Sequence, residues 1–227
     1  MTVSVTWFGH AATQIKTDQI TLLIDPFFTG NAKAAVAADE LSPDVIAVTH
    51  GHGDHVGDTV AIAKRTGALC VSNHEIVTYL QKQGVENTHA LHIGGGFNFP
   101  WGRIKLTIAH HGSMLPDGSN GGNPAGLLLS MEGKTIYHAG DTGLFYDMKL
   151  IGDSRVDLAL LPIGDNFTMG PDDAHRALEL IRPGIVIPLH YDTFEVIEQD
   201  VQAWGRQAEQ RFDVRAAVLE PGGTVEL

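Results

Sequence analysis

The run His50-Gly51-His52-Gly53-Asp54-His55 places three imidazoles and a carboxylate within one turn. Imidazole is the commonest transition-metal ligand in proteins. A β-branched stretch, Val45 to Thr49, leads into this turn, and the two glycines permit its tight backbone. These donors exceed what one catalytic ion accommodates, because such an ion keeps a position open to water. Division between two ions removes the crowding, with His50 and His52 on one and Asp54 and His55 on the other. The alternative is a polar surface turn whose histidines meet by chance in a chain of twelve.

The motif closely resembles the HxHxDH signature of the metallo-β-lactamase superfamily, and the later landmarks of that family follow in order. His110-His111-Gly112 closes a strand over Arg103 to Ala109, Gly140-Asp141 sits in His138 to Thr142, and His190 follows Pro188-Leu189. The resemblance implies an α/β fold, the four-layer αβ/βα sandwich, with two mixed β-sheets and helices outside. It further implies a dinuclear site. His50, His52 and one of His110 and His111 would hold the first metal; Asp54, His55 and His190 the second; Asp141 would bridge them. His111 is preferred because it stands at the turn before Gly112, as in related members. Strand alternation does not choose, since it sends the pair to opposite faces. His110 is then expected as a supporting or core histidine.

Other stretches resemble a metal-dependent hydrolase branch of bacteria and archaea: Trp7 to His10, Leu23 to Pro26, Gly122 to Gly126, Tyr137 to Lys149, Pro162 to Gly170 and His190 to Phe194. Ascorbate-phosphate lactonases and phospholipase D-like members are more distant relatives. Diiron flavoprotein relatives carry a glutamate where this ligand set has histidine, which argues against redox chemistry. Antibiotic-hydrolysing members use a cysteine ligand; Cys70 lies far from every motif and reads as a small buried hydrophobe.

The expected reaction is hydrolysis by hydroxide formed between two divalent metal ions, zinc by default, with manganese, iron or nickel as alternatives. Asp54 would orient the nucleophile. His10, after Gly9, is expected to reach the pocket as a proton donor to the leaving group. Two divalent ions, two aspartates and a hydroxide leave a formal charge of about +1. The expected substrate is therefore a small anionic molecule, a phosphodiester or a lactone. Asp25, at the end of a buried strand, is the best carboxylate to receive a ligand histidine's second N–H. The resemblance places Asp165, Asn166 and Asp192 near the pocket mouth. His138 is expected to face away from the metals, and His74, His89, His92 and His175 to serve as helix caps or surface residues.

Strands and helices alternate along both halves, which implies a layered α/β fold with two sheets and outer helices. Strands are read at Ser4 to Phe8, Ala12 to Lys16, Thr21 to Ile24, Val45 to Thr49, Ala68 to Ser72, Arg103 to Ala109, Ala125 to Ser130, Thr135 to Tyr137, Val156 to Leu161 and Ile185 to Pro188, with a further one at Ala216 to Leu219. Helices are read at Ala32 to Asp39, Val56 to Thr66, His74 to Gln83, Pro171 to Ile181 and Phe194 to Gln207. Gly94-Gly95-Gly96 lacks the Lys-Ser/Thr of a phosphate loop and reads as a hairpin turn. The aperiodic stretch Gly112 to Asn123 is either functional or a disordered tip. No linker divides residues 1–227, read as one domain.

With 15 basic against 27 acidic residues the net charge is −12, which disfavours nucleic acid and anionic membranes as partners. One cysteine excludes an intrachain disulfide, and no signal or spanning segment is read, so a cytoplasmic protein is expected. The oligomeric state is not legible. Two competing readings are a nuclease of the same superfamily, which needs basic patches the chain lacks, and a non-catalytic metal-binding protein.

Overall fold

The computed structural model describes residues 2–227. The first half forms β1 (Ser4–Gly9), β2 (Ala12–Lys16), β3 (Thr21–Ile24), β4 (Val45–Ala47), β5 (Leu69–Asn73) and β6 (Thr88–Leu91), with helices α1 (Gly53–Val56), α2 (Thr59–Thr66) and α3 (His74–Lys82). The second half forms β7 (Gly96–Phe99), β8 (Gly102–Ile108), β9 (Ala125–Met131), β10 (Lys134–His138), β11 (Leu158–Pro162), β12 (Ile185–Leu189) and β13 (Arg215–Ala216). It adds α4 (Met148–Gly152), α5 (Pro171–Ile181) and α6 (Val201–Arg211), and the chain closes with β14 (Thr224–Glu226).

Two seven-stranded sheets result, in the orders β14-β1-β2-β3-β4-β5-β6 and β13-β12-β11-β10-β9-β8-β7. Each is mixed: antiparallel along β14-β1-β2-β3 and β7-β8-β9-β10, and parallel along β3 to β6 and β10 to β13, where longer connections intervene. The central strands β4 and β11 are buried along their whole length, as layers on both faces require. Val5, Trp7, Ile15 and Leu22 of the first sheet share a core with Ile104, Leu106 and Leu127 of the second. Ile62 of α2 and Ile76 and Leu80 of α3 cover the other face of the first sheet at Leu23, Ile46 and Cys70. Ala174 and Leu178 of α5 and Trp204 of α6 join the core of the second sheet. The architecture is the four-layer αβ/βα sandwich. Among the described residues no helix is long and apolar enough to cross a membrane.

The differences from the sequence reading have local causes. Residues 32–39 form turns, with only a 3-10 turn at Ala38–Glu40. Ala34, Val36 and Ala38 pack against the core at every second position, a spacing that an α-helix does not present on one face. The helix expected from Val56 to Thr66 is cut at Gly57, whose φ is +41°. Asp58 then turns its carboxylate onto the backbone N–H groups of Phe28 and Thr29, at 3.0 and 2.9 Å. The helix expected from Phe194 starts only at Val201, where Asp200 caps it by accepting from the Ala203 N–H at 2.9 Å. The glycine run Gly94 to Gly96 makes no hairpin; it carries the chain between edge strands of different sheets. Residues 112–123 are ordered and bound to the site: the Gly51 N–H donates to Ser113 Oγ at 3.0 Å, and Asn73 Nδ2 donates to Gly121 O at 2.7 Å.

Candidate metal centre

The loops leaving β1, β3, β4, β8, β10 and β12 meet at one edge of the sandwich. Backbone bonds join the halves there: the His190 N–H donates to His10 O, and the Ala125 N–H to Thr49 O, both at 3.0 Å. Buried His138 supports the junction, its Nε2–H donating to Ala11 O and its Nδ1 accepting the Gly140 N–H, both at 3.1 Å. It therefore faces the scaffold. Gly140 has φ +61°, and a Cβ there would lie 2.9 Å from Ala125 O and 3.0 Å from Thr49 Cβ. Only glycine fits, and the turn it makes delivers Asp141 to the centre. Non-glycine left-handed conformations gather around the same edge: His10, Asp25, His190 and Asp192 have φ between +46° and +57°. Such conformations persist where the surroundings over-determine them.

Asp141 is the hub. Its Oδ2 lies 3.0 Å from His190 Nε2, 3.3 Å from His55 Nε2, 3.4 Å from His111 Nε2 and 4.0 Å from His50 Nε2. Donor atoms of His50, His52 and His111 form one group that could hold an ion, and those of Asp54, His55 and His190, joined by His10, form a second. Asp141 groups with His50 and His55 between them. All seven residues singled out as ligands in the sequence are thus brought together, and His111 rather than His110 is the member of its pair that enters.

The supporting bonds fix how the imidazoles face. Asp25 is fully buried at the end of β3 and accepts from His55 Nδ1–H at 2.8 Å, from Thr49 Oγ1–H at 2.6 Å and from the Thr49 N–H at 2.8 Å. Thr49 Oγ1 in turn accepts from His50 Nδ1–H at 3.1 Å. With both Nδ1 atoms committed as donors, the Nε2 lone pairs of His50 and His55 point inward. Asp141 Oδ1 and His190 Nδ1 are buried and lack a hydrogen-bond partner, and the inner nitrogens of His55 and His190 crowd onto the single Asp141 Oδ2 at 3.3 and 3.0 Å. Leaving such atoms unpaired costs about 1–3 kcal/mol each, a cost that a bound cation removes. An imidazole-rich set with two carboxylates therefore fits divalent transition metals.

The protonation states follow from burial and close charges. Burial, with the charge of His55 nearby, drives His50 well below the ordinary histidine range. Burial works in the same direction on His55, but with no cation bound the carboxylates of Asp141 and Asp25 outweigh it and raise it well above that range, so a cation at Nε2 would displace a proton there. Asp141 is held well below the carboxylate range by His55 and His190 although burial opposes this. His111 is lowered, chiefly by burial. His10 is fully buried and is pushed down to about 4 by that burial, against the bond to Asp54. Its Nε2–H donates to Asp54 Oδ2 at 3.1 Å, and its Nδ1 lies 2.9 Å from the Thr193 hydroxyl. His10 thus lies behind the pocket lining, bonded to Asp54 and packed on His190 at 4.0 Å between ring centroids.

The centre opens into a pocket of about 400 Å³ bordered by His52, Asp54, His111, Asp141 and His190, with Phe167, Phe194 and Val196 at its mouth. The loops expected at the mouth are there, but their polar residues turn away from it. Asp165 and Asn166 make a left-handed corner that presents Phe167, and Asp192 Oδ1 accepts the Gln199 N–H at 2.9 Å. His110 is neither core nor support; it is exposed, its ring centroid 5.2 Å from that of Phe145. His175 is buried, not a cap or surface residue, and stacks on Trp204 with centroids 5.2 Å apart. Thr49, Thr193, Phe167 and Phe194 lie in stretches marked by strand pattern or family resemblance, and Val196 in an expected helix, yet none had a role in the sequence reading. Only Thr49 had a local signal, its place directly before His50.

A family model described as the Beta-lactamase superfamily domain matches residues 4–190. A UPF0173 metal-dependent hydrolase of Shouchella clausii is 52% identical, over 99% of this chain and 100% of its own. One from Methanopyrus kandleri is 50% identical, over 98% of this chain and 99% of its own. Among solved structures, a metallo hydrolase of the archaeon Ignicoccus hospitalis is 37% identical with a TM-score of 0.92, covering 100% of this chain and 99% of its own. An isothiocyanate hydrolase from Delia radicum gut bacteria shares the fold at 20% identity and TM-score 0.75, with 98% of each chain covered. Matched over residues 4–190 by the superfamily domain and half identical to relatives along its length, the chain belongs to the metallo-β-lactamase superfamily, within the family of UPF0173 metal-dependent hydrolases.

Proposed function

We propose that the protein hydrolyses a small anionic phosphodiester or a lactone with water ionised between two divalent ions, zinc by default and manganese, iron or nickel as alternatives. The observation that carries this reading is Asp141 Oδ2, which has ring nitrogens of four histidines within 4.0 Å. In it, His50, His52 and His111 would hold one ion and Asp54, His55 and His190 the other, with Asp141 shared between them. The name "metal-dependent hydrolase" shared by close relatives points the same way. Cations in such a donor set supply Lewis acidity toward a substrate oxygen and bring the ionisation of water to about pH 7.

The chain's own groups do the rest. Asp54 is 28% exposed and borders the pocket, so its carboxylate would orient the attacking water. His10 holds Asp54 by donating Nε2–H, and Thr193 fixes the His10 ring from the other side. In this reading His10, fully buried behind Asp54, positions that carboxylate in place of the direct donation to the leaving group expected from sequence. Asp25 and Thr49 keep the inner lone pairs of His55 and His50 aimed at the centre. A pocket of about 400 Å³ suits a small molecule and excludes a duplex or folded RNA from the floor. The lone cysteine, Cys70, is buried and unpaired, which supports a cytoplasmic setting.

The test combines elemental analysis of purified protein with turnover of bis-p-nitrophenyl phosphate and a lactone panel. Two equivalents of metal and turnover that disappears in Asp141→Ala are expected. Active protein free of bound metal would refute the reading.

A further inference from the structure

The mouth of the pocket is apolar on two loops, and its lining contains no lysine or arginine. Phe167 is 53% exposed, Phe194 40% and Val196 61%. Isolated exposed apolar side chains are ordinary, but these three border one opening over a polar floor. They are also held in place. The Phe167 loop is tied by the Asp165 N–H to Met169 O at 3.1 Å and by the Met169 N–H to Thr142 O at 2.9 Å, one residue from Asp141. The Phe194 loop is closed by the Ile197 N–H to Phe194 O and the Asp192 N–H to Ile197 O, both at 3.0 Å. Gln199 Nε2 donates to Gly164 O at 3.1 Å, linking that loop to the strand end that begins the other. The Phe194 ring meets the His10 ring edge-on at 5.6 Å, so the apolar wall reaches the group that holds Asp54. Two partly exposed aromatic side chains on backbone-bonded turns gain apolar contact when hydrocarbon settles against them in the pocket.

The charge balance says what carries that apolar group. The floor, loaded with two divalent ions and hydroxide, has a formal charge of about +1. A substrate with one negative charge, or a neutral one whose charge develops in the transition state, is satisfied by that floor. A terminal phosphate with two charges needs further cations, and none lines this pocket.

We infer that Phe167, Phe194 and Val196 form a subsite for the apolar substituent of a substrate with at most one negative charge: an alkyl or aryl diester, or a lactone with a hydrocarbon chain. The inference rests on the hydrolase reading for the floor, whereas the wall stands on its own geometry. It is a specificity device: the ions engage any small ester, and the wall selects those with hydrocarbon to bury.

The test is direct binding of straight-chain alkyl hydroxamates, from acetohydroxamate to octanohydroxamate, to metal-loaded protein by titration calorimetry. The hydroxamate head addresses the ions and the chain addresses the wall. Affinity is expected to rise about threefold to fourfold per methylene until the wall is covered. Phe167→Ala and Val196→Ala, both at exposed positions, are expected to flatten that slope. Tight acetohydroxamate with no gain along the series overturns the subsite, as does a slope unchanged in the double variant. A lost acetohydroxamate signal with a persisting slope removes the metal centre and leaves the subsite standing; no binding by any member overturns both.

Discussion

Asp25 Oδ2 lies 2.8 Å from His55 Nδ1 and 2.6 Å from Thr49 Oγ1, while Asp25 Oδ1 accepts the Thr49 N–H at 2.8 Å. One buried carboxylate thereby orients His55 directly and His50 through Thr49. The arrangement needs an acceptor at every position around Asp25. Asparagine offers an N–H₂ on one side, which must oppose a donor. Asp25→Asn is therefore expected to weaken metal binding about 10–100-fold, as loss of a ligand's carboxylate partner does. Competition against a chromophoric chelator measures it, and wild-type affinity in the variant would exclude this role for Asp25.

The same region sets the break between α1 and α2. Gly57 has φ +41°, and a Cβ there would lie 2.3 Å from Pro26 O and 2.9 Å from Phe27 Cα. The Asp58 N–H also donates to Pro26 O, at 2.8 Å, so the two segments cannot separate without losing that bond. Gly57→Ala is expected to destabilise the protein by more than about 1 kcal/mol, because both the conformation and the space are wrong for alanine. Since the break lies two residues after His55 and next to Asp25-Pro26, metal affinity should fall with it. A urea midpoint unchanged from wild type would contradict this account.

These two sites show what was legible in the sequence. Strands such as Ser4–Gly9 and the helix Pro171–Ile181 announced themselves through apolar periodicity and a proline at the helix start. The His50 to His55 part of the centre was legible because metal chemistry needs particular side chains and they cluster in that short motif, whereas His111, Asp141 and His190 followed only from the family resemblance. The break at Gly57 was not, because glycine at the end of one turn and inside one helix look alike until Pro26 is known to press on it. Phe167, Phe194 and Val196 carry no donor atoms and follow no period; their meaning lies in sharing an opening, which only tertiary structure shows. His175 was misread as a surface residue because the indole that covers it lies 29 positions away.

Metal removal should report on the unpaired atoms of the centre. Ligand binding at one hundred times Kd stabilises by about 2.7 kcal/mol. For a domain of this size each kcal/mol raises Tm by roughly 2–4 °C. Adding zinc to chelator-treated protein is thus expected to raise Tm by roughly 5–11 °C, and Asp141→Ala should remove most of that gain. Scanning calorimetry with and without metal decides; equal melting of the two forms of the wild type would mean that the donor set holds no ion.

A last prediction concerns acid stability away from the centre. His175 Nε2–H donates to Trp204 O at 3.2 Å, so Nδ1 is the acceptor, and Arg211 Nη1 donates to it at 3.3 Å. Protonating Nδ1 would set its new N–H against that guanidinium. Burial first, and the Arg211 charge after it, lower the His175 pKa below 6.5, although the Trp204 bond and Asp172 oppose them. A histidine lowered in the folded state binds its proton first in the unfolded chain. Above pH 6.5 both states are neutral and His175 contributes no pH dependence. As the pH falls below 6.5 the unfolded chain is favoured, by at most about 1.4 kcal/mol per pH unit for one proton, until the folded pKa is passed. His175→Phe keeps an aromatic ring to stack on Trp204 and removes the titration, at the expense of the Trp204 bond. The stability advantage of wild type over this variant should accordingly shrink between pH 6.5 and 5, with both proteins measured in chelator so that the metal ligands titrate alike. Parallel pH curves over that interval would show that His175 already takes up its proton in the folded protein.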